Sequence, residues 1–221
     1  MRHIYLVTHP EAQHHVDGLV GGWYDSELTA CGLLQAERIA EALVSKIGPE
    51  DVEVHSSDLQ RANRTAQRIA QRFSVEVHTD PRLRERSNGE ADGLPQAWLA
   101  ERRIPLPQYG DRLGHHDGPA GAETRMELVK RLYPALNEIL RRPATTQIIV
   151  SHGSASSYLI ASWIGMPMTL ADRAFFPLTS GSITTLLRND SHFSHQVVSL
   201  NETQHLQNLE ESASSPDATN I

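Results

Sequence analysis

The stretch Ile4-Tyr5-Leu6-Val7-Thr8-His9-Pro10 decides the fold. Four consecutive apolar β-formers with no polar alternation fit a strand covered on both faces, as in a parallel sheet with helices above and below it. Pro10 has no amide hydrogen and ends the ladder. Further on, Thr29 reads as the N-cap of a helix in which Leu33, Ala36, Ile39, Ala40, Leu43 and Ile47 recur at helical spacing until Gly48-Pro49 stops it. Val52 to His55 reads as a second strand. Ser57 or Asp58 then caps a helix with Leu59, Ala62, Ala66, Ile69 and Phe73 on one face and Arg61, Arg64, Arg68 and Arg72 on others. Val75 to His78 is a third strand. The β-α-β-α-β order predicts an α/β fold, a three-layer sandwich with a mostly parallel central sheet and helices on both faces.

Residues 81–122 are rich in Gly, Pro and charge, with one short helical piece near Gln96 to Arg103. A long irregular segment in a compact domain is usually a lid or binding loop. Thr124 to Arg141 reads as an amphipathic helix, and Gln147 to Val150 as a strand that ends at Ser151-His152-Gly153. Ala155 to Ile164 is a helix, and Ser182 to Arg188 with Gln196 to Leu200 forms a hairpin around Asn189-Asp190. One domain is expected over residues 1–206, and the polar, aperiodic segment 207–221 is expected to be a disordered tail.

Lys+Arg 20 against Asp+Glu 27 gives a net charge of -7, with Lys46 and Lys130 the only lysines. That balance predicts neither nucleic acid nor an anionic membrane as partner, so an anionic ligand needs a local cluster of donors. Oligomeric state has no signature. Cys31 stands alone, which rules out an internal disulfide and suits the cytoplasm. No apolar run suggests a signal-peptide core or a membrane-spanning helix. His14-His15 and His115-His116 lack the i, i+4 spacing of a helical two-histidine metal site, so neither a metal nor another cofactor is expected. His115-His116 reads as lid surface, and His3, His55, His78, His192, His195 and His205 as a surface scatter. Trp163, beside Leu159 and Ile160, reads as core; Trp98, in the lid, covers either a substrate or the domain surface.

His9 and His152 each follow a short apolar strand directly. In an open parallel sheet the ligand crevice lies beyond the carboxyl ends of the strands, so both rings are delivered to one edge. Neutral imidazole, with an ordinary pKa of about 6.5, is a competent phosphoryl acceptor at physiological pH. Phosphoryl transfer otherwise requires positioning and positive charge around the equatorial oxygens. Arg61 offers a guanidinium fork, His152 a donor, and the backbone N–H groups from Gly153 and Ser154 a helix-start anion site. Glu85, in Arg-Leu-Arg-Glu-Arg, is the candidate acid for the leaving oxygen.

These residues lie in longer segments that resemble the histidine phosphatase superfamily, in its phosphoglycerate-mutase-like branch. SSDLQRANRTA (Ser56 to Ala66) is similar to a signature of that branch and carries Arg61. VGGWYDSELTACGLLQA (Val20 to Ala36) resembles the loop and helix after the nucleophile. The resemblance implies that Gly21 and Gly22 approach the substrate phosphate. LRERSNGEADG (Leu83 to Gly93) resembles the acid loop, SHG (Ser151 to Gly153) the second-histidine motif, and GSITTL (Gly181 to Leu186) the closing strand. It implies His9 as covalent nucleophile, Glu85 as proton donor, and a small phosphorylated substrate.

One departure stands at the nucleophile. The family frames it as Arg-His-Gly, whereas this chain reads Thr8-His9-Pro10. The Asn usual six positions after the nucleophile is His15, and Ala91-Asp92 stands where Trp-Glu is common. The principal expectation is a metal-independent phosphatase in which Thr8, His14 or His15, and Arg84 or Arg86 compensate for the arginine. The alternatives are a catalytically impaired domain that binds a phosphorylated ligand and regulates, and a mutase, for which the 66 residues between Glu85 and His152 leave little room for an extended cap. Thr8→Arg distinguishes a weakened pocket from a rebuilt one. It is expected to tighten inorganic phosphate binding, measured by calorimetry, by about tenfold, or about 1.4 kcal/mol; unchanged or weaker binding means that the pocket has been rebuilt.

Overall fold

The computed structural model describes residues 1–48, 51–189, 191–192 and 194–207. The opening apolar run becomes β1 (Arg2–Thr8), whose last five residues are buried. Its side chains alternate between two helical layers, which explains the absence of polar positions. Ile4 and Leu6 pack with α5 (Arg125–Arg141) and α6 (Gly153–Trp163). Tyr5 and Val7 pack with α2 (Ala30–Lys46) and α3 (Gln60–Phe73). The other strands are β2 (Val52–Ser56), β3 (Val77–Thr79), β4 (Thr146–Ser151), β5 (Ile183–Asn189) and β6 (Ser194–Glu202). They form one sheet in the order β3-β2-β4-β1-β5-β6. The first four in that order are parallel, and β5 and β6 add an antiparallel edge. Two shorter helices, α1 (Gln13–Val16) and α4 (Gln96–Arg102), sit in connecting segments. The three-layer α/β architecture is therefore the expected one. No helix among the described residues is long and apolar enough to cross a membrane.

Several local expectations are corrected. The Thr29 cap holds, with its Oγ1 accepting from Gly32 N at 2.9 Å, but Leu33 is exposed. At that turn Gly32 makes the close approach, because a Cβ there would collide with the Glu11 carbonyl. Neither Ser57 nor Asp58 is the N-cap of α3; that position is Leu59. Asp58 instead pairs with Arg84 through two bonds of 2.7 and 2.6 Å, and the Gln60 N–H donates to Asp25 Oδ1 at 2.7 Å. β3 begins at Val77 rather than Val75, since Ser74 closes α3 in the left-handed region and the Val75 N–H still donates to Ala70 O. α6 begins at Gly153, two residues early, with His152 as its N-cap.

Two of the supposed surface histidines are not on the surface: His55 is buried against Glu53, and His205, half-buried, donates to Gly181 O at 2.9 Å. His195 is exposed as expected, yet donates to Trp163 O at 2.6 Å and stacks on that ring. The segment expected to be a disordered tail lies, from residue 208 on, outside the described residues.

Between the sheet and α5, Leu132 is fully buried in the larger core cluster. Leu132→Ala is expected to lower unfolding stability by about 2–5 kcal/mol, read from urea denaturation with an unchanged m-value.

Candidate active site

In the parallel ladder Thr8 lies opposite Ser151, so His9 and His152 leave β1 and β4 at the same level. The His9 N–H continues the ladder to Ser151 O at 3.0 Å, and the two rings meet edge-on with centroids 5.0 Å apart. Both side chains are buried. The hydrogen bonds of His9 fix its tautomer. Arg61 Nε lies 3.2 Å from His9 Nε2 and can only donate, so Nε2 carries the lone pair. The proton is then on Nδ1, which donates to Pro10 O at 2.8 Å.

Arg61 is 1% exposed and completely oriented. Its Nη1 donates to Tyr24 O at 2.8 Å and its Nη2 to Gly22 O at 2.7 Å. Gly22 adopts φ +42°, and a Cβ there would strike the Asp92 carboxylate. The loop resembling a phosphate-approach segment thus also grips the arginine through its carbonyls. Burial pulls the Arg61 pKa down to about 10, with Glu85, Asp25 and Asp92 opposing, so the guanidinium is charged at neutral pH.

Glu85, at the start of the lid, lines the same cavity as His9. Its carboxylate accepts from Ser154 N at 2.9 Å, Ala155 N at 3.1 Å and Arg86 N at 2.7 Å. Of the Gly153 and Ser154 amides expected to serve a substrate anion, that of Ser154 is therefore taken by Glu85 itself. Its backbone carbonyl is held by Trp23 Nε1 and Arg131 Nη2 at 2.7 and 2.8 Å.

A cavity of about 480 Å³ opens over these groups. Thr8, His9, His15, Gly21, Gly22, Arg61, Glu85, Arg86, Gly153 and Ser154 all line it, joined by Arg103 of the lid. Two of the sequence-derived candidates do not line it: Arg84 is committed to Asp58, and His152 lies behind the wall, fully buried, with Nε2 2.9 Å from Ser57 Oγ and Nδ1 without a partner among the described residues. Thr8 Oγ1 is likewise buried and unpartnered. His15 accepts from Ala12 N at 3.2 Å and stacks on His9 with centroids 5.6 Å apart. Sequence reasoning left one buried group out of the site, Ser57, and named His14 only as an alternative to His15. His14 also lines the cavity, with Nδ1 2.6 Å from Ser26 Oγ. Trp98 is absent from the cavity wall; it packs beside Val20, Ala91 and Leu99 under the Arg102 guanidinium. The lid instead offers Asn88, Gln96 and Leu99.

Burial lowers the pKa of His9 and His152, and the Arg61 charge lowers both further. His14 is pushed down to about 3 by burial, then by His15 and Arg61. A cluster of neutral imidazoles thus surrounds one fixed cation, which suits nucleophilic attack by His9 Nε2 on an anionic centre.

The chain is similar to known proteins over most of its length. Residues 4–203 match the family described as the histidine phosphatase superfamily (branch 1). A protein named probable phosphoglycerate mutase GpmB from Proteus mirabilis is 37% identical over 172 residues, covering 76% of this chain and 77% of that one. Its namesake from Serratia proteamaculans is 39% identical over 171 residues, with the same shares of each chain. Among solved structures, an alpha-ribazole phosphatase from Shigella flexneri superposes with a TM-score of 0.74 at 26% identity, covering 90% of this chain and 96% of that one. A phosphoserine phosphatase mutant from Entamoeba histolytica, in complex with phosphoserine, gives 0.70 at 26% identity, covering 93% and 100%.

The buried histidines set the acid side of the stability profile. His9, His14 and His152 are all held below the ordinary value, so below about pH 6.5 the unfolded chain binds protons that the folded chain does not. Their contribution is complete above that pH and declines as pH falls. The urea midpoint is expected to drop steadily from pH 7 to pH 5, before the carboxylates begin to titrate; a flat midpoint over that range contradicts the assignment of three neutral buried imidazoles.

Proposed function

This chain belongs to branch 1 of the histidine phosphatase superfamily, and we propose that it hydrolyses a small phosphomonoester through a phosphohistidine on His9, without a metal ion. The observation that carries the reading is the His9 tautomer. With Nδ1–H tied to the Pro10 carbonyl, the lone pair on Nε2 is presented beside the Arg61 guanidinium in a cavity that also holds a carboxyl group.

In the first step Nε2 attacks phosphorus and the bond to the ester oxygen breaks, while the Glu85 carboxyl gives its proton to the departing alkoxide. Arg61 stabilises the charge on the phosphoryl oxygens, with the unpartnered Thr8 hydroxyl and His15 taking up part of the role of the family arginine, while His152, behind the cavity wall, supports the His9 ring edge-on. In the second step Glu85, now a carboxylate, accepts a proton from water. The water oxygen attacks phosphorus, the phosphorus–nitrogen bond breaks, and inorganic phosphate leaves. The three amides on Glu85 fix its orientation for both transfers. The phosphatase names of the structural neighbours favour hydrolysis over mutation, although the curated relatives carry the mutase name. The short interval between Glu85 and His152 points the same way. The lone Cys31, which is exposed, suits a cytoplasmic setting.

The test is a panel of phosphate esters assayed for released phosphate with EDTA present. Turnover is expected to persist in EDTA, to vanish in His9→Ala, and to fall about 10²–10⁴-fold in Glu85→Gln. Transfer of phosphate between positions with little release indicates a mutase. Ligand-induced thermal stabilisation with no turnover on any ester indicates the binding module.

A further inference from the structure

Trp23 does not line the catalytic cavity, yet its indole N–H donates at 2.7 Å to the backbone carbonyl of Glu85, the proposed acid. That distance is at the short end of the N–H···O range. The side chain is 41% exposed and belongs to no apolar cluster among the described residues, so packing does not account for its place. The Arg84 and Arg131 guanidiniums lie 5.0 and 5.9 Å from the ring centroid and help to orient it.

The acceptor is one end of the peptide unit that joins Glu85 to Arg86. The other end of that unit is the Arg86 N–H, which donates to Glu85 Oε1 at 2.7 Å. A peptide unit is planar, so its carbonyl and its N–H cannot turn independently. Whatever fixes the carbonyl therefore fixes the donor that grips the carboxyl. A donor on the carbonyl also polarises the amide and strengthens the bond that its N–H makes. Arg131 Nη2 reaches the same oxygen at 2.8 Å, but that nitrogen also serves Glu123 Oε2 at 2.8 Å, and Nη1 is divided between the Arg82 and Arg84 carbonyls. The indole N–H is the undivided donor.

The neighbours of Trp23 hold the other charged group of the site. Gly22 O and Tyr24 O accept from Arg61 Nη2 and Nη1, and Tyr24 N closes the turn on Gly21 O at 2.7 Å. Three consecutive residues thus set the cation with two carbonyls and the acid with one side chain. We propose that Trp23 is a positioning residue for proton transfer by Glu85: through the Glu85–Arg86 peptide unit it aims the carboxyl at the leaving oxygen and keeps it in register with Arg61. The inference rests on the phosphatase reading, in which Glu85 is the acid.

The experiment compares phenyl phosphate, whose phenolate needs a proton as it leaves, with 2,4-dinitrophenyl phosphate, whose phenolate leaves without one. The readout is kcat/KM, which reports transfer to His9 and not the later hydrolysis in which Glu85 acts as base. Trp23→Phe keeps a ring beside Arg84 and removes the N–H; Trp23→Leu removes both, and each variant shown by thermal melting to fold is assayed. The loss on phenyl phosphate is expected to be about tenfold, as for a misaimed catalytic group, and under twofold on the dinitrophenyl ester. The ratio between the esters then changes at least fivefold; a smaller change, as when both esters lose activity alike, overturns the positioning role. A second readout needs no turnover. The Ser154 and Ala155 amides stand in the first turn of α6 with Glu85 as their acceptor, so their hydrogen exchange, followed by NMR, is expected to quicken at least fivefold in the variants. If wild type does not hydrolyse both aryl esters, this exchange decides the role of Trp23, and unchanged exchange overturns it. The ester panel in EDTA decides the phosphatase reading separately.

Discussion

The parallel pairing of β1 with β4 is the constraint on which the rest depends. Because Thr8 stands opposite Ser151, two chain segments far apart in sequence release their histidines at one height. A slip of one residue would turn either side chain to the opposite face of the sheet. The register is held by apolar side chains that are buried in both helical layers, with Ile4, Leu6 and Ile149 on one face and Tyr5, Val7, Ile148 and Val150 on the other. Core packing and site geometry are thus two outcomes of the same ladder.

Desolvation does most of the electrostatic work above that ladder. Imidazoles out of water beside a fixed guanidinium stay neutral, and neutrality is the condition for a nitrogen lone pair to act as nucleophile. The guanidinium stays charged because the carboxylates of Glu85, Asp25 and Asp92 oppose the effect of burial, while its direct hydrogen bonds go to the backbone carbonyls of Gly22 and Tyr24. Its charge remains available to a phosphoryl group. Glu85 is oriented by three backbone amides on its oxygens.

Much of this was legible from local pattern, and the failures share a cause. Short apolar runs ending in His9 and His152 marked the sheet edge, and the Arg61 and Glu85 segments were readable because motif residues cluster in sequence. What local pattern misses is partnership across the chain. Asp58 looked like a cap and is instead taken by Arg84, while Asp25, 35 residues before Gln60, supplies the acceptor. His55 looked like surface and is buried beside Glu53. The Ser154 amide of α6 looked free for an anion and is claimed by Glu85, 69 residues away.

The grip of the Gly22–Tyr24 loop on Arg61 has an evolutionary consequence. His9, Arg61 and the loop are joined by direct hydrogen bonds, so a change in any of them is felt by the others, and variation there is forced to be concerted. Among the described residues, Gln96 and Leu99 touch none of these groups by hydrogen bond and line the cavity from the lid, where substitutions can accumulate singly. Lineages built on this scaffold can therefore change diet without relearning how to digest.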